Sequence, residues 1–201
     1  PIGLSQDGKR ACDVEAKQLL NPTRGNSVFY TPTRDAVEAQ TIEDAKSAQE
    51  GLDFSVQNQA WAIVPRIQEV DEFLVMFEEV LGTTDIRETH PEVCFAALND
   101  GNPLPNKKKT KAGITERRKL LSEHLDGAGD LYDEAVEIFT EPEWAPVIGK
   151  SGRDDILDAM VAALTARKCG ENPPRLPKTS EPEWDERSGR EMEIVYWPDW
   201  S

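Results

Sequence analysis

The sequence has no long apolar run. Its most hydrophobic stretch, residues 73–77, is followed at once by Glu78 and Glu79, whereas a helix that spans a bilayer needs about 18 apolar residues. Hydrophobic residues make up 38% of the 201 residues and charged residues 30%, a balance typical of globular proteins in water. We therefore expect a globular protein without a membrane partner.

Cysteine is scarce, and no two cysteines lie close together in the sequence. Cys12, Cys94 and Cys169 lie far apart, and no CxxC pair occurs, which argues against a zinc ribbon or a redox pair. Scattered cysteines are typical of a reducing compartment, where each is a small buried side chain, so we expect a cytoplasmic protein. The first residue is Pro1, with no charged leader after it; we expect that upstream residues are missing, with a removed leader as the alternative.

Positive charge is also scarce. Lysine and arginine number 23 against 38 acidic residues, which gives a net charge of −15. This balance argues against a broad basic face that holds nucleic acid. It does not exclude a nuclease, whose carboxylates hold cations that then face the phosphate. For this acidic protein we favour a strongly solvated surface, and adaptation to high salt stays open.

Helical patterns dominate the chain, and we predict one α/β domain over residues 1–201. Strands are predicted at residues 84–89 and 191–196, and residues 1–4 resemble the end of a buried strand. Loops are predicted at 102–113 and, rich in proline, at 172–190. The predicted helices cover residues 7–20, 33–51, 55–82 (kinked or divided at Pro65), 91–98, 115–125, 131–139 and 153–168.

The segment 154–158 (DDILD) places three aspartates at the start of a predicted helix. Asp154 and Asp155 each share a helix face with Asp158, because residues three or four apart are neighbours. Acids in a first turn are common, since they complement the helix dipole. Asp158 lies deeper among apolar residues, where a carboxylate needs a hydrogen bond, a cationic partner or a metal. Ordinary helix-start acids and a metal site both remain open here.

The segment 88–92 (ETHPE) is the second acidic motif. Glu88 ends a predicted strand and Glu92 falls in the first turn of the next helix, and ligands collect at such strand ends. Oxygen ligands from different elements would suit Mg²⁺ or Mn²⁺, which activate water and neutralise phosphodiesters. Glu92 is alternatively a dipole partner, and for His90 we favour a capping or hydrogen-bonded imidazole over a ligand.

Other kinds of site find little support. No serine lies in a nucleophile-elbow context, and no glycine-rich phosphate loop occurs. Residues 107–109 (KKK), with Arg117 and Arg118, form one basic island in an acidic chain. Such a run is usually a solvated loop; here it could instead contact a phosphate backbone beside the carboxylates.

The order of short motifs resembles a known family. The motifs are PIGL at 1–4, RACD at 10–13, SVF at 27–29, SVQ at 55–57, ETHPEVCF at 88–95, KKT at 108–110, GITER at 113–117, DDILDA at 154–159 and MEIVY at 192–196. Together they resemble the domain of unknown function 429 family, described as predicted nucleases with a ribonuclease-H-like fold. The resemblance runs across nearly the whole chain, and its specificity lies in the number and order of the motifs.

The resemblance implies a ribonuclease-H-like mixed sheet flanked by helices, with an acidic site of the two-metal type that binds Mg²⁺ or Mn²⁺. The stretch from Asp155 to Ala159 is similar to the last acidic motif of RuvC-type resolvases. The implied catalytic residues are Glu88, Asp155 and Asp158. The implied metal ligands are Glu88, Glu92, Asp154, Asp155 and Asp158, and the implied substrate contacts are His90, Lys108, Lys109 and Arg117.

The chain departs from the family pattern at its beginning. Family members start with a glycine-rich strand that bears an aspartate, and carry another aspartate just before the proline that is Pro1 here. We therefore expect a domain truncated at its amino terminus, helix-rich and with an incomplete site. The leading hypothesis is a metal-dependent nuclease or phosphodiesterase, a hydrolase. The alternatives are a non-catalytic binding or regulatory protein that keeps the fold, and an acidic surface with no ligand.

Overall fold

The computed structural model describes residues 1–77, 82, 84–144, 152–179 and 181–199. Within these ranges the protein is helix-rich, with short antiparallel strands. The chain forms two compact units. The first comprises residues 1–18, 25–88 and 175–195, and the second residues 19–24, 89–174 and 196–201.

Short helices build most of the first unit. They are α1 (Ala11–Leu20, whose last two residues belong to the second unit), α2 (Arg34–Glu38), α3 (Ile42–Ala48), α4 (Asn58–Trp61) and α5 (Val64–Met76), with a single 3₁₀ turn at Gly25–Ser27. One continuous helix over residues 33–51 was predicted, and this is wrong. Ala39 and Thr41 are extended, and Thr41 caps α3 by accepting a 3.1 Å hydrogen bond from the amide of Asp44. A threonine hydroxyl that caps a new helix competes with continuation of the old one.

Pro65 divides the next predicted helix, as the sequence indicated. Helix α4 ends at Trp61, and α5 carries Pro65 in its first turn, where the missing amide is not needed. The start of α5 buries Val64 and Ile67 against Leu4 and Val37. The predicted continuation to residue 82 falls on residues 78–81, which lie outside the described ranges.

The first unit also holds the described strands. These are β1 (Arg175–Leu176), β2 (Trp184–Asp185), β3 (Arg190–Glu191) and β4 (Ile194–Val195). Strand β1 pairs antiparallel with β4, and β2 with β3. The strand predicted over 191–196 is therefore divided between two pairs: Glu191 lies in β3, and Ile194 and Val195 form β4. The amide of Met192 continues the β2–β3 pairing by donating a 2.8 Å hydrogen bond to the carbonyl of Glu183. Part of the segment predicted as a loop, 172–190, lies in β1 and β2.

The strand predicted over residues 84–89 is wrong. The segment forms no regular strand, although the carbonyl of Glu88 accepts a 2.9 Å hydrogen bond from the amide of Val195. Ile86 is its single large aliphatic side chain, so one apolar face cannot form. The α/β class is thus supported by helices with small antiparallel sheets, whereas a ribonuclease-H-like mixed sheet stays a prediction.

Four helices form the core of the second unit as described. They are α6 (Pro91–Leu98), α7 (Lys111–His124), α8 (Ala128–Phe139) and α9 (Arg153–Lys168). Helix α6 is buried from Glu92 to Leu98 and packs against α7 and α9. The predictions for α6 and α9 are confirmed, whereas α7 begins earlier than predicted. Its cap is Thr110, whose hydroxyl accepts a 3.1 Å hydrogen bond from the amide of Gly113.

Two expectations from the sequence concern the burial of the cysteines and the question of a membrane-spanning helix. Cys12 and Cys94 are buried and Cys169 is half-buried, and none of the three forms a disulfide bond. Across the described ranges, no helix combines the length and hydropathy that crossing a bilayer requires.

Gly113 is expected to resist even the smallest substitution. A Cβ built there would lie 2.0 Å from the carbonyl oxygen of Lys107, so the loop before α7 would have to move. Within a helix, glycine to alanine normally stabilises by about 1 kcal/mol. We expect Gly113→Ala to lower the free energy of unfolding by roughly 1–3 kcal/mol instead, measured by urea denaturation. The control is Gly170→Ala, because no atom lies within 4 Å of a Cβ at that position; equal stability of both variants would contradict the close approach.

Candidate functional site

The first turns of α9 carry three aspartates with different exposures. Asp154 is 2% exposed, the side chain of Asp158 is 18% exposed, and that of Asp155 is 67% exposed. Gly152 is the N-cap residue and has no side chain with which to cap the helix. The acids therefore complement the helix dipole, but a carboxylate as buried as that of Asp154 is unusual for a simple helix-start acid.

The ammonium of Lys108 brings the three aspartates together. Its Nζ lies 2.6 Å from Oδ2 of Asp158, 3.3 Å from Oδ2 of Asp154 and 3.7 Å from Oδ1 of Asp155. The sequence singled out these four residues separately, and the structure places them around one cation. We call the group of Asp154, Asp155, Asp158 and Lys108 the aspartate cluster.

The electrostatics of the aspartate cluster reflect partial burial. Burial raises the pKa of Asp158 above its ordinary value, although the hydrogen bond and charge of Lys108 oppose that shift. Burial lowers the pKa of Lys108, but its bond to Asp158 and the nearby carboxylates outweigh burial and raise the pKa. Oδ1 of Asp158 is buried and accepts no hydrogen bond, and Oδ2 of Asp154 is buried and meets Lys108 in the 3.3 Å ion pair. The carboxylate of Asp158 thus has one oxygen with unused capacity for a cation or a donor.

The loop before α7 fixes the backbone on both sides of Lys108. The carbonyl of Lys107 accepts hydrogen bonds from the amide of Thr110 at 2.9 Å and from its hydroxyl at 2.7 Å. The carbonyl of Asn106 accepts a 3.1 Å bond from Nη1 of Arg117. The ammonium therefore extends from an anchored backbone.

Arg117 and Glu92 form a buried pair beneath this loop. Nη2 of Arg117 lies 2.7 Å and 2.8 Å from the two carboxylate oxygens of Glu92, and the residues are 0% and 5% exposed. Glu92 was predicted to bind metal and Arg117 to bind substrate. In the structure each satisfies the other, so either role would require that pair to open.

Glu88 lies in the first unit and is held there by Arg10. Their side chains meet at 2.8 Å and 3.0 Å, and the amide of Ile2 adds a 2.7 Å hydrogen bond to Glu88. Burial raises the pKa of Glu88, but the charge of Arg10, the amino-terminal charge and the hydrogen bonds from Arg10 and Ile2 outweigh burial, and the pKa falls to about 2. Glu88 is therefore ionised at neutral pH, with a partner already in place.

Sequence reasoning missed the partners of Arg10. Arg10 is 1% exposed and also donates to both oxygens of Asp13, at 2.6 Å and 3.2 Å. Asp13 in turn accepts a 2.9 Å bond from the amide of Thr31. The RACD motif held this pair at a spacing of three residues, which was the available indication of a buried ion pair at the start of α1.

The other two predicted substrate contacts, His90 and Lys109, lie in different surroundings. His90 is the N-cap residue of α6, but its side chain makes no capping hydrogen bond. Lys109 is exposed, next to Lys108. Over the part of the chain that the structure describes, no group of three or more histidine, cysteine, aspartate or glutamate side chains is arranged to hold a metal ion.

An apolar groove lies beside the aspartate cluster. It has a volume of about 430 Å³ and is lined by α8 and α9, with Leu131, Phe139 and Met160 among its apolar side chains and Asp155 also on its surface. A ligand that reaches the exposed carboxylate of Asp155 therefore also meets hydrophobic surface.

Comparison with known proteins identifies one relationship. A family model described as "Protein of unknown function (DUF429)" matches residues 1–181. No curated protein and no solved structure matches the chain.

The Arg10–Glu88 pair predicts an acid-dependent loss of stability. The unfolded pKa of Glu88 is near 4.5 and the folded value about 2, so the pair stabilises the protein fully above pH 4.5 and progressively less as pH falls towards 2. We expect Glu88→Gln to reduce this acid dependence by up to about 3 kcal/mol, measured by urea denaturation from about pH 6 to about pH 2.5. The control Glu72→Gln changes an exposed residue; identical pH profiles for wild type and Glu88→Gln would refute the pairing.

Proposed function

The chain belongs to the DUF429 family of proteins of unknown function, and we propose that it is a metal-dependent phosphodiesterase whose Mg²⁺ or Mn²⁺ binds at the aspartate cluster of α9. The proposal includes nucleic acid as substrate, a ribonuclease-H-like fold and a cytoplasmic location. The part of the proposal that is argued from contacts in the second unit is the metal site.

The observation that carries the proposal is the convergence of carboxylates on one cation. Asp154 and Asp158 meet the ammonium of Lys108 at 3.3 Å and 2.6 Å, and Asp158 keeps a second, buried oxygen that accepts no hydrogen bond. Mg²⁺ is commonly bound by one or two carboxylates, with water and substrate phosphate completing the shell. The residues therefore fit a single hard cation.

The residues of the aspartate cluster would have different roles according to their exposure to solvent. Asp154 and Asp158 would hold the ion, which when bound activates water and neutralises phosphate charge. Asp155 is open to solvent and would accept a proton or hydrogen bond from water at the rim. Lys108 and Lys109 would meet phosphate oxygens, and the buried Glu92–Arg117 pair would position the loop that carries them.

A second candidate function is a binding or regulatory protein without catalysis. Its support is that the predicted acids are already neutralised by the protein's own cations. Glu92 is paired with Arg117 and Asp158 with Lys108, and in the other unit Glu88 is paired with Arg10. Carboxylates paired in this way do not need a metal to be tolerated in the folded state.

Divalent cations are expected to stabilise the folded protein. A ligand that binds the native state at about a hundredfold excess over its Kd adds about 2.7 kcal/mol, or roughly 5–10 °C in Tm for a chain of this size. Asp158→Asn should abolish the shift caused by Mn²⁺, because the variant loses a charged ligand. Asp130→Asn, which changes an exposed acid on α8, should keep it. No shift in the wild type at millimolar Mn²⁺ would count against the metal site.

Catalysis separates the two candidate functions. The protein should cleave fluorescently labelled DNA or RNA in Mn²⁺, with cleavage abolished in Asp158→Asn and retained in Asp130→Asn. A stabilising metal with no cleavage would favour the binding protein. Equal cleavage by wild type and Asp158→Asn would remove Asp158 from the proposed mechanism.

A further inference from the structure

We infer that the ammonium of Lys108 and the metal ion compete for the same position in the aspartate cluster. In the metal-free protein the ammonium occupies that position, and a divalent ion binds only by displacing it. This inference rests on the proposed function, because it concerns the same cluster. It adds that the occupant of the site in the metal-free protein is a residue of the chain itself.

The first support is the position of the ammonium. Nζ of Lys108 lies within 4 Å of carboxylate oxygens from Asp154, Asp155 and Asp158, and the closest contact is 2.6 Å. A divalent ion bound to Asp158 and Asp154 would have to lie within a few ångströms of this charge. Like charges at such a distance repel strongly in a partly buried site, so the two cations exclude each other.

The second support is the state of the carboxylate oxygens around the ammonium. Asp154 is 2% exposed, and its Oδ2 is within ion-pair distance of Lys108. One monovalent ammonium is therefore shared among three carboxylates, and its shortest contact is with Asp158 rather than with Asp154. A group of carboxylate oxygens that shares one positive charge favours a cation of higher charge that can bind several oxygens at once.

The third support is that the side chain can move although its backbone cannot. Thr110 and Arg117 hold the carbonyls of Lys107 and Asn106, and Gly113 packs against the same carbonyl of Lys107. The four-carbon stem of Lys108 has free rotations, and its side chain is 34% exposed. Displacement therefore moves the ammonium to the edge of the cluster, where it can meet a phosphate oxygen.

Competition of this kind makes a direct prediction about affinity. Removing the ammonium should tighten metal binding even though it removes a residue proposed to contact substrate. A partly buried ion pair contributes on the order of 1 kcal/mol, so its loss should tighten Mn²⁺ binding by about five- to tenfold. A residue that only contacts substrate would leave the affinity for the metal alone unchanged.

The test is titration of the protein with Mn²⁺ alone, with free Mn²⁺ followed by electron paramagnetic resonance. Lys108→Met keeps the aliphatic stem and should bind about five- to tenfold more tightly than wild type. Lys107→Met removes the same charge from an exposed neighbour and should change the Kd less than twofold. Lys108→Gln repeats the test if the methionine variant does not fold.

The outcomes separate the inference from the proposed function. Equal Mn²⁺ affinity in wild type and Lys108→Met, or equal tightening by Lys107→Met, would overturn the inference and leave the metal site in place. Absence of saturable binding in every variant, or binding undiminished by Asp158→Asn, would overturn the metal site and the inference together.

Discussion

Cations from the chain itself determine which carboxylates of this acidic protein can be buried. With 38 acidic residues against 23 lysines and arginines, most acids stay in solvent, and the buried ones meet an arginine or lysine. Arg10 and Arg34 fill this role in the first unit, where Arg34 pairs with Asp71 and Asp185. Arg117 fills it in the second, in its pair with Glu92. Because removing one partner leaves an uncompensated buried charge, these pairs constrain the loops and helix starts around them.

The aspartate cluster differs from these pairs in the number of carboxylates that share one cation. Arg117 meets both oxygens of Glu92, a geometry that suits a planar guanidinium. Lys108 instead faces three carboxylates with one compact ammonium. The buried pairs are therefore structural in character, whereas the cluster has carboxylate capacity that a stronger cation can use. This contrast is why the proposed function is assigned to α9 rather than to Glu92.

Local features of the fold could be predicted from the sequence, and long-range pairs could not. The bounds of α9 and the first-turn position of Pro91 followed from apolar spacing and helix-start residues. The acidic face of α9 followed from the spacing of Asp154 and Asp158. The cations that meet these acids lie far away along the chain, at a sequence separation of 50 for Lys108 and Asp158 and of 78 for Arg10 and Glu88. No periodic pattern encodes such a pairing, and strands of two residues are too short to give one.

In the proposed site, the oxygens of Asp154 and Asp158 bind a divalent cation at the position that the ammonium of Lys108 occupies in the metal-free protein. Anomalous scattering from a crystal of the protein soaked in Mn²⁺ would test this exchange of cations. We expect a manganese peak within bonding distance of both carboxylates, with the ammonium of Lys108 moved away from its 2.6 Å contact with Asp158. A crystal at saturating Mn²⁺ with no anomalous peak on α9, and with the ammonium still on Asp158, would contradict it.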